Sequence, residues 1–506
     1  MTDFDAIVIG AGHNGLVCAA YLARAGRSTL LVEARPMVGG TAASETFAGA
    51  RVNICNCDHL TFRTTGVIEE LGLEQHGLRY LDLDPSQINT TWTSTPWQMH
   101  HDVEATLDQL ARSYPAEVDN YRRYLDAALP AARLVLANAA QPPTMAGIGR
   151  RVAQQRGRGA ATLLRWSRRS AADIMREYFT DEALRAPAMV IGPVVWGISP
   201  EFPGSGLGAL TYALRHAATL GRPEGGSGKV TEALRSVFET AGGSLMLNTA
   251  VDSILTDRQR VLGVELADGT QITADVVVSA CNPHDTFLRW LKHPPSGAER
   301  LVARWRKIPH EEGYESKIDA VLSTTPVMKW GSQVDMSSGC TVVIAPSLAD
   351  IHRGYEMSRS GGVLDRPAFL MNVPTLGDAT LAPKGRHVLS LEALYTPYSL
   401  PGGWASSTEP ARWLDRFYEL CSNDVQSTII DWRAMTPDRY EREFHLPAGH
   451  ATSFAGGPLA AIRNRNPELT RYETAVPGLY LTGAATFPGA GVWGASGKNA
   501  ASVVLH

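Results

Sequence analysis

Residues 4–41 constrain this chain more than any other stretch. Phe4-Asp5-Ala6-Ile7-Val8-Ile9 has the apolar, β-branched character of a strand buried on both faces. Gly10-Ala11-Gly12-His13-Asn14-Gly15 follows at once, and Leu16 to Ala25, rich in Ala and Leu, reads as a helix stopped by Gly26. Ser28 to Val32 reads as a second strand ending in Glu33. In that setting the three glycines do different things. Gly10 permits the tight turn, Gly12 lets backbone approach a pyrophosphate, and Gly15 lets helix and strand pack closely. The free N–H groups at the helix start favour the phosphates. Glu33 lies 18 residues past Gly15, where a carboxylate accepts hydrogen bonds from both ribose hydroxyls. The unit therefore reads as a β-α-β fold closing on a dinucleotide. A glycine-rich structural turn is the plainer alternative.

The next residues choose between dinucleotides. After Glu33 come Ala34-Arg35-Pro36-Met37-Val38-Gly39-Gly40-Thr41, with a glycine doublet six residues past the acid. An NAD-only domain has no need of it. FAD does, because the extended cofactor runs through its domain and meets a second backbone segment. Arg35 is placed to cover the adenosine end or, failing that, to make a surface ion pair. A second glycine cluster closes the sequence. Pro477 to Gly483 reads as a strand running into a loop, and Ala484 to Ala501 contains Gly489, Gly491, Val492, Trp493, Gly494 and Gly497. Small residues there let a flavin lie against backbone, and a helix N-terminus aimed at the flavin pyrimidine stabilises the charge of the reduced ring.

The stretches GAGHNGLVCAAYLARAG, EARPMVGG and GLYLTGAATFPGAGVWGASGKNAA resemble the phytoene desaturase-type FAD-dependent oxidoreductases. The branch they look most like is the phytoene dehydrogenase-related proteins. More distantly they are similar to the flavin amine oxidases. Pro223 to Lys229 and Ala274 to Ala280, the latter followed by Asn282-Pro283, fit the same pattern. The resemblance implies an α/β chain, a Rossmann-like FAD-binding domain of the glutathione reductase type interleaved with an α+β substrate domain. It implies FAD as cofactor, with contacts from Gly10, Gly12, Gly15, Glu33, Ala34, Arg35, Gly39, Gly40, Thr41, Gly483, Ala484, Gly491, Val492 and Trp493. It also implies a main-chain contact to adenine near Val251. One departure is visible: many flavoproteins place an Asp after the glycine of the last strand, and here Ala484 follows Gly483.

The two glycine clusters lie at opposite ends, so one cofactor site must gather both. The expected FAD-binding domain is discontinuous, 1–60, 221–284 and 455–506. Residues 61–220 and 285–454 are left for the substrate domain with a helical insertion. A prior of about 150 residues per domain suggests three units for 506 residues, and the interleaving reduces them to two. No second GxGxxG follows a strand, so no NADPH domain is expected, and electrons leave to oxygen or a quinone.

Composition closes off other classes. With 44% hydrophobic residues and six cysteines, the chain is neither mainly disordered nor a disulfide scaffold. A net charge of −4 argues against a general nucleic-acid binder. No apolar run is long enough to span a bilayer, and Asp3 and Asp5 stand where a signal peptide carries positive charge. A cytoplasmic setting is the expectation. Eight arginines with one acid in 150–176, interleaved with Leu163, Leu164 and Trp166, read either as a peripheral membrane contact or as a solvated or homo-oligomeric face.

Candidates for the chemistry are fewer. Lys317, one of seven lysines, sits in the strand-like Glu315-Ser316-Lys317-Ile318-Asp319. In related flavoproteins a lysine holds a water near flavin N5. A surface strand lysine is the alternative. His59 follows Cys55-Asn56-Cys57-Asp58 in the segment expected to run past the flavin, and a core or loop histidine is its plainer reading. Trp493 is placed to bring an indole beside the isoalloxazine or the substrate, with packing alone as the alternative. His445 and His450 flank Pro447, and His13 serves the phosphate loop. Cys55-x-Cys57 has no second pair at ligand spacing, so no metal is expected. The reading is an FAD-dependent enzyme, a dehydrogenase, desaturase or oxidase, that removes hydride from a largely apolar or amphiphilic small molecule. An amine oxidase, and a non-redox FAD-dependent isomerase or scaffold, stay open beside it. No cysteine follows Cys421, which argues against a cysteinyl-linked flavin.

Overall fold

The computed structural model describes residues 2–55, 58–450, 454 and 457–506. Two seven-stranded sheets organise it. In the first, Phe4–Ile9 lies between Thr29–Val32 and Gln271–Ser279, parallel to both. Ser244–Met246 extends the sheet beyond Thr29–Val32, and Leu479–Leu481 pairs in parallel with the end of Gln271–Ser279. The start of Gln271–Ser279 instead joins an antiparallel meander with Val251–Thr256 and Val261–Leu266. Ile7, Val8, Leu30, Leu31, Val277 and Val278 are all fully or almost fully buried, because helices cover one face and the meander and its neighbours the other. The helix His13–Arg24 crosses between the first two parallel strands. The helix Ala495–Leu505 packs along it, so closely that a Cβ on Gly497 would lie 2.2 Å from the Asn14 carbonyl oxygen.

The second sheet runs Ile429–Met435, Glu315–Leu322, His387–Leu394, Phe369–Asn372, Thr341–Ala345, Gln87–Thr91, Trp97–Met99. Its pairs are antiparallel except Thr341–Ala345 with Gln87–Thr91. One face is apolar: Ile88, Ile318, Ala320, Leu322, Val342, Ile344, Met371, Leu389 and Leu391 share a core. Alternation puts Gln87, Asn89, Thr341, Asn372, Ser390, Glu392, Glu315, Lys317, Asp319 and Arg433 on the other. Helices between 103 and 217 pack beside it around Trp97, Tyr121, Tyr124, Trp166 and Tyr212. The expected elements of the cofactor unit are present within a residue or three of their expected bounds. Sequence reading had no counterpart for the polar face of the second sheet.

Candidate functional site

The phosphate loop is shaped by what a side chain would strike. A Cβ on Gly15 would sit 2.0 Å from the Gly10 carbonyl oxygen, and Gly10 itself has φ +95°. Gly12 differs: a Cβ there meets nothing within 4 Å, so the fold keeps that space open. The Gly39 N–H donates to the Ala11 carbonyl at 2.8 Å, which lays the glycine doublet and the turn Gly40–Ala42, with Thr41, against the loop. Glu33 is buried at the end of its strand. Its Oε2 accepts the Ala11 N–H at 2.7 Å and its Oε1 the Arg35 N–H at 2.9 Å. Each oxygen retains a second lone pair for a hydroxyl donor. The Thr249 N–H donates to the Glu33 carbonyl and the Asn248 N–H to that of Arg35, which holds the start of Val251–Thr256 beside Glu33 and Ala34. The Arg35 guanidinium pairs with Glu45 at 2.9 Å and lies 4.0 Å over the Phe444 ring.

The carboxyl-terminal cluster closes the same place from the other side. The Gly483 N–H donates to the Ser496 hydroxyl at 3.0 Å, and the Ala484 carbonyl accepts from the Phe454 N–H. Thr61 donates to the Val492 carbonyl at 3.0 Å and Thr65 to that of Trp493 at 3.3 Å. The Trp493 indole N–H is held by the Ala490 carbonyl at 3.0 Å, with its ring beside Gly491. His13 joins the two clusters. Its ring hydrogen-bonds the Gly491 backbone, burial pushes its pKa down to about 4, and its Nε2 is buried without a partner.

His59 is buried with both ring nitrogens engaged, Nδ1 with the Tyr80 hydroxyl and Nε2 with the Ser227 hydroxyl, each at 2.7 Å. Burial drives its pKa down to about 3, so the ring is neutral. Lys317 is 2% exposed; its ammonium donates to the Asn53 carbonyl at 2.6 Å and pairs with Asp319. The Asn53 side chain in turn accepts the Ser227 N–H at 2.8 Å, which places Lys317 and His59 three hydrogen bonds apart. No hydrogen bond joins Trp493 to either. His450 is buried against the Tyr314 ring, 5.5 Å between centroids, and 3.5 Å from Glu311, while His445 ends a helix in the left-handed region.

The polar face of the second sheet was not foreseen. Lys317 stands opposite Glu392 in register, and Glu315 hydrogen-bonds Glu392. Burial raises the pKa of both carboxyls, and each ionised form repels the other. From Lys317 an alternating row of charges runs through Asp319, Arg433 (3.3 Å) and Glu45 (3.1 Å) to Arg35 (2.9 Å), whose backbone N–H donates to Glu33. The raised pKa values of Glu315 and Glu392 favour retention of a proton on the pair. The sequence signal was there, since Glu315, Lys317, Asp319 and Ser390, Glu392 occupy alternate positions of otherwise apolar strands.

Cys57, of the pair considered for a metal, lies outside the described residues; among the described residues no cluster of three or more His, Cys, Asp or Glu is placed to hold one. In the 150–176 segment Trp166 and Leu163 face the core, and Arg165, Arg169 and Arg176 pair with Glu177, Asp173 or Glu201. Arg150, Arg156, Arg158 and Arg168 are exposed. No described helix is long and apolar enough to cross a membrane.

A parallel sheet with this phosphate loop, interleaved with a mixed sheet, defines a dinucleotide-binding protein of the flavoprotein kind. The chain belongs to the flavin containing amine oxidoreductase family, whose model matches residues 15–309, more than half its length. It is 29% identical to pyridine nucleotide-disulfide oxidoreductase domain-containing protein 2 of Mus musculus, over all of this chain and 94% of that one. It is 26% identical to a limonene dehydrogenase subunit of Castellaniella defragrans, covering 99% and 94% of the two chains. The same identity holds to a phytoene desaturase (lycopene-forming) of Pseudescherichia vulneris, covering 99% of each. Among solved structures, an oxidoreductase from Methanosarcina mazei matches with a TM-score of 0.66 at 15% identity over 99% of both chains, a likeness of fold. The expected family and fold class are borne out.

The family is flavin-containing, which implies FAD. The residues fit the group: open space at Gly12, free lone pairs on Glu33 and an orphaned Nε2 on His13 are what an extended dinucleotide would take up.

Proposed function

We propose that this oxidoreductase dehydrogenates an amphiphilic organic molecule, apolar along most of its length and polar at one end. FAD, when bound, supplies the two-electron acceptor. Gly10, Gly12, Gly15, Glu33, Gly39, Gly40 and Gly483 to Trp493 hold it, and the discontinuous cofactor unit and the substrate unit divide as the sequence suggests. The names of the limonene dehydrogenase and phytoene desaturase relatives, both acting on hydrocarbons, support the apolar part. The single observation that carries the polar end is the row of buried Glu392, Lys317 and Asp319 with half-buried Glu315 on the inward face of the second sheet.

In this reading Trp493 orients the substrate over the ring. Lys317, its charge held by Asp319 and the Asn53 carbonyl, fixes the floor and orders a water beside it. The Glu315–Glu392 pair holds one proton and has room for a second, which suits it to take the proton a substrate loses together with its hydride. His59 acts through Ser227 and Tyr80 and positions the loop rather than exchanging protons. Oxygen or a quinone reoxidises the protein, and the exposed arginines of 150–168 serve a membrane surface from which such molecules are drawn.

Anaerobic mixing with amphiphilic candidates tests the reading. Loss of the oxidised-flavin absorbance in step with product is expected. Product formed without flavin bleaching would overturn it in favour of a non-redox isomerase. Liposome flotation with Arg150, Arg158 and Arg168 replaced by Glu tests the membrane contact, and unchanged flotation would remove it.

A further inference from the structure

We propose that Arg215 is an anion subsite and that the molecule this chain takes carries one carboxylate. The inference rests on the oxidoreductase reading, and the carboxylate is a second polar group of its substrate, apart from the one that meets the Glu315–Glu392 row.

Arg215 lies on the helix Thr211–Ala217, just before the short strand Gly221–Pro223 that carries Arg222. The protein surrounds it on all sides, with Tyr121, Tyr212, Cys340 and Asp58 about its guanidinium, yet the residue stays partly accessible. Its Nη1 is buried without a hydrogen-bond partner. Asp58 is the carboxylate that faces it, and Asp58 is already committed. Arg222 reaches its Oδ1 through Nε and Nη2, each at 2.7 Å, and the Thr341 hydroxyl donates to its Oδ2 at 2.7 Å. Two guanidinium groups thus share one carboxylate, and a single positive charge is left over. Guanidinium does not shed its proton on burial, so this charge cannot be neutralised from within.

Two more observations point at the same spot. Gln87 stands opposite Thr341 in register, with Asn89 next along the same face. Both are fully buried, and the Gln87 Oε1 and Asn89 Nδ2 atoms have no partner. Of these, the unpaired guanidinium of Arg215 and the spare Asn89 amide donor suit an anion of one charge. A carboxylate meets that need, since its two oxygens match the planar fork of an arginine. A phosphate dianion would overshoot the charge. The location suits a substrate: Asp58 precedes His59, and the His59 N–H donates to the Gly221 carbonyl at 2.9 Å, so the subsite adjoins the wall beside the phosphate loop.

The test uses flavin-loaded protein and the melting temperature as its readout. Straight-chain monocarboxylates from acetate to decanoate are titrated against the matching alcohols and amines. Saturable stabilisation by the carboxylates alone is expected. Arg215→Gln weakens it on the order of 30-fold, the usual result of removing one partner of a buried charge pair, and Arg215→Lys restores part of it. An equal response in Arg215→Gln, or a response to amines in place of carboxylates, overturns the subsite. Flavin bleaching separates this failure from that of the wider reading. Bleaching by a molecule without a carboxylate, with no carboxylate response, overturns the subsite and leaves the oxidoreductase. Carboxylate binding dependent on Arg215 supports the subsite even where no candidate bleaches the flavin.

Discussion

At the phosphate loop the working parts are backbone. Gly10, Gly12 and Gly15 act by lacking side chains, and the N–H groups of Ala11, Gly39 and Gly483 set the spacing. At the inward face of the second sheet the working parts are side chains: Glu315, Lys317 and Asp319 from one strand, Glu392 from another, Arg433 from a third. The first region tolerates no added atom at most positions and carries one buried carboxylate, Glu33, among backbone donors. The second is a balance of charges in which each group is tolerable only because its neighbours are present. A backbone site suits a fixed cofactor common to a family, and a side-chain site can be rewritten residue by residue for a new substrate.

The sharpest way to break that comparison is at Gly15. Gly15→Ala drives a Cβ into the Gly10 carbonyl oxygen at 2.0 Å and is expected to cost about 3 kcal/mol or more, read by denaturant unfolding. Gly12→Ala, with open space around it, is expected to stay within about 1 kcal/mol of the parent while flavin content falls. Equal damage from both would show that the loop is structural rather than a cofactor seat. Next, Lys317→Met leaves Asp319 to Arg433 alone and takes away the cation opposite Glu392. A loss of about 3–5 kcal/mol is expected, with the flavin spectrum of the folded fraction unchanged.

Smaller effects follow with pH. His59 stays neutral in the fold down to about 3, whereas the unfolded chain takes up its proton below about 6.5. Its contribution is complete above that pH and is lost as the pH falls towards 3, at about 1.4 kcal/mol per pH unit. His59→Gln should remove this slope. Glu392 has the opposite sign. Its pKa is raised in the fold, so stability falls as the pH rises above the ordinary carboxylate value, and Glu392→Gln should flatten that fall. Opposite slopes in the two variants would sharpen the contrast, and matching slopes would dissolve it. Smallest is Trp493→Phe, which forfeits the indole bond to the Ala490 carbonyl for about 1 kcal/mol, with a shifted flavin spectrum as the second readout.

The same contrast explains what could be read in advance. The phosphate loop was legible because its strand, turn and helix are contiguous, and each glycine has a local geometric reason. The carboxyl-terminal cluster was legible for the same reason. Glu315 and Glu392 meet only through sheet register, which no local pattern supplies, although their alternation with apolar neighbours hinted at one polar face. Lys317 stood out by the rarity of lysine, but its burial depends on Asn53 and Asp319. Arg215 gave no signal at all: its significance lies in Asp58 already being held by Arg222.

The seating of the last helix on the first has a consequence for how the protein is made. The Gly497 N–H reaches the Asn14 side chain at 3.4 Å across 483 positions of chain. At about 5–20 residues per second, a ribosome needs roughly half a minute to a minute and a half to bridge that interval. Through all of it the nascent phosphate loop waits without its closing partner. A cofactor that needs both clusters can therefore be captured only once residue 497 has emerged, so its supply bears on a chain already some 480 residues long.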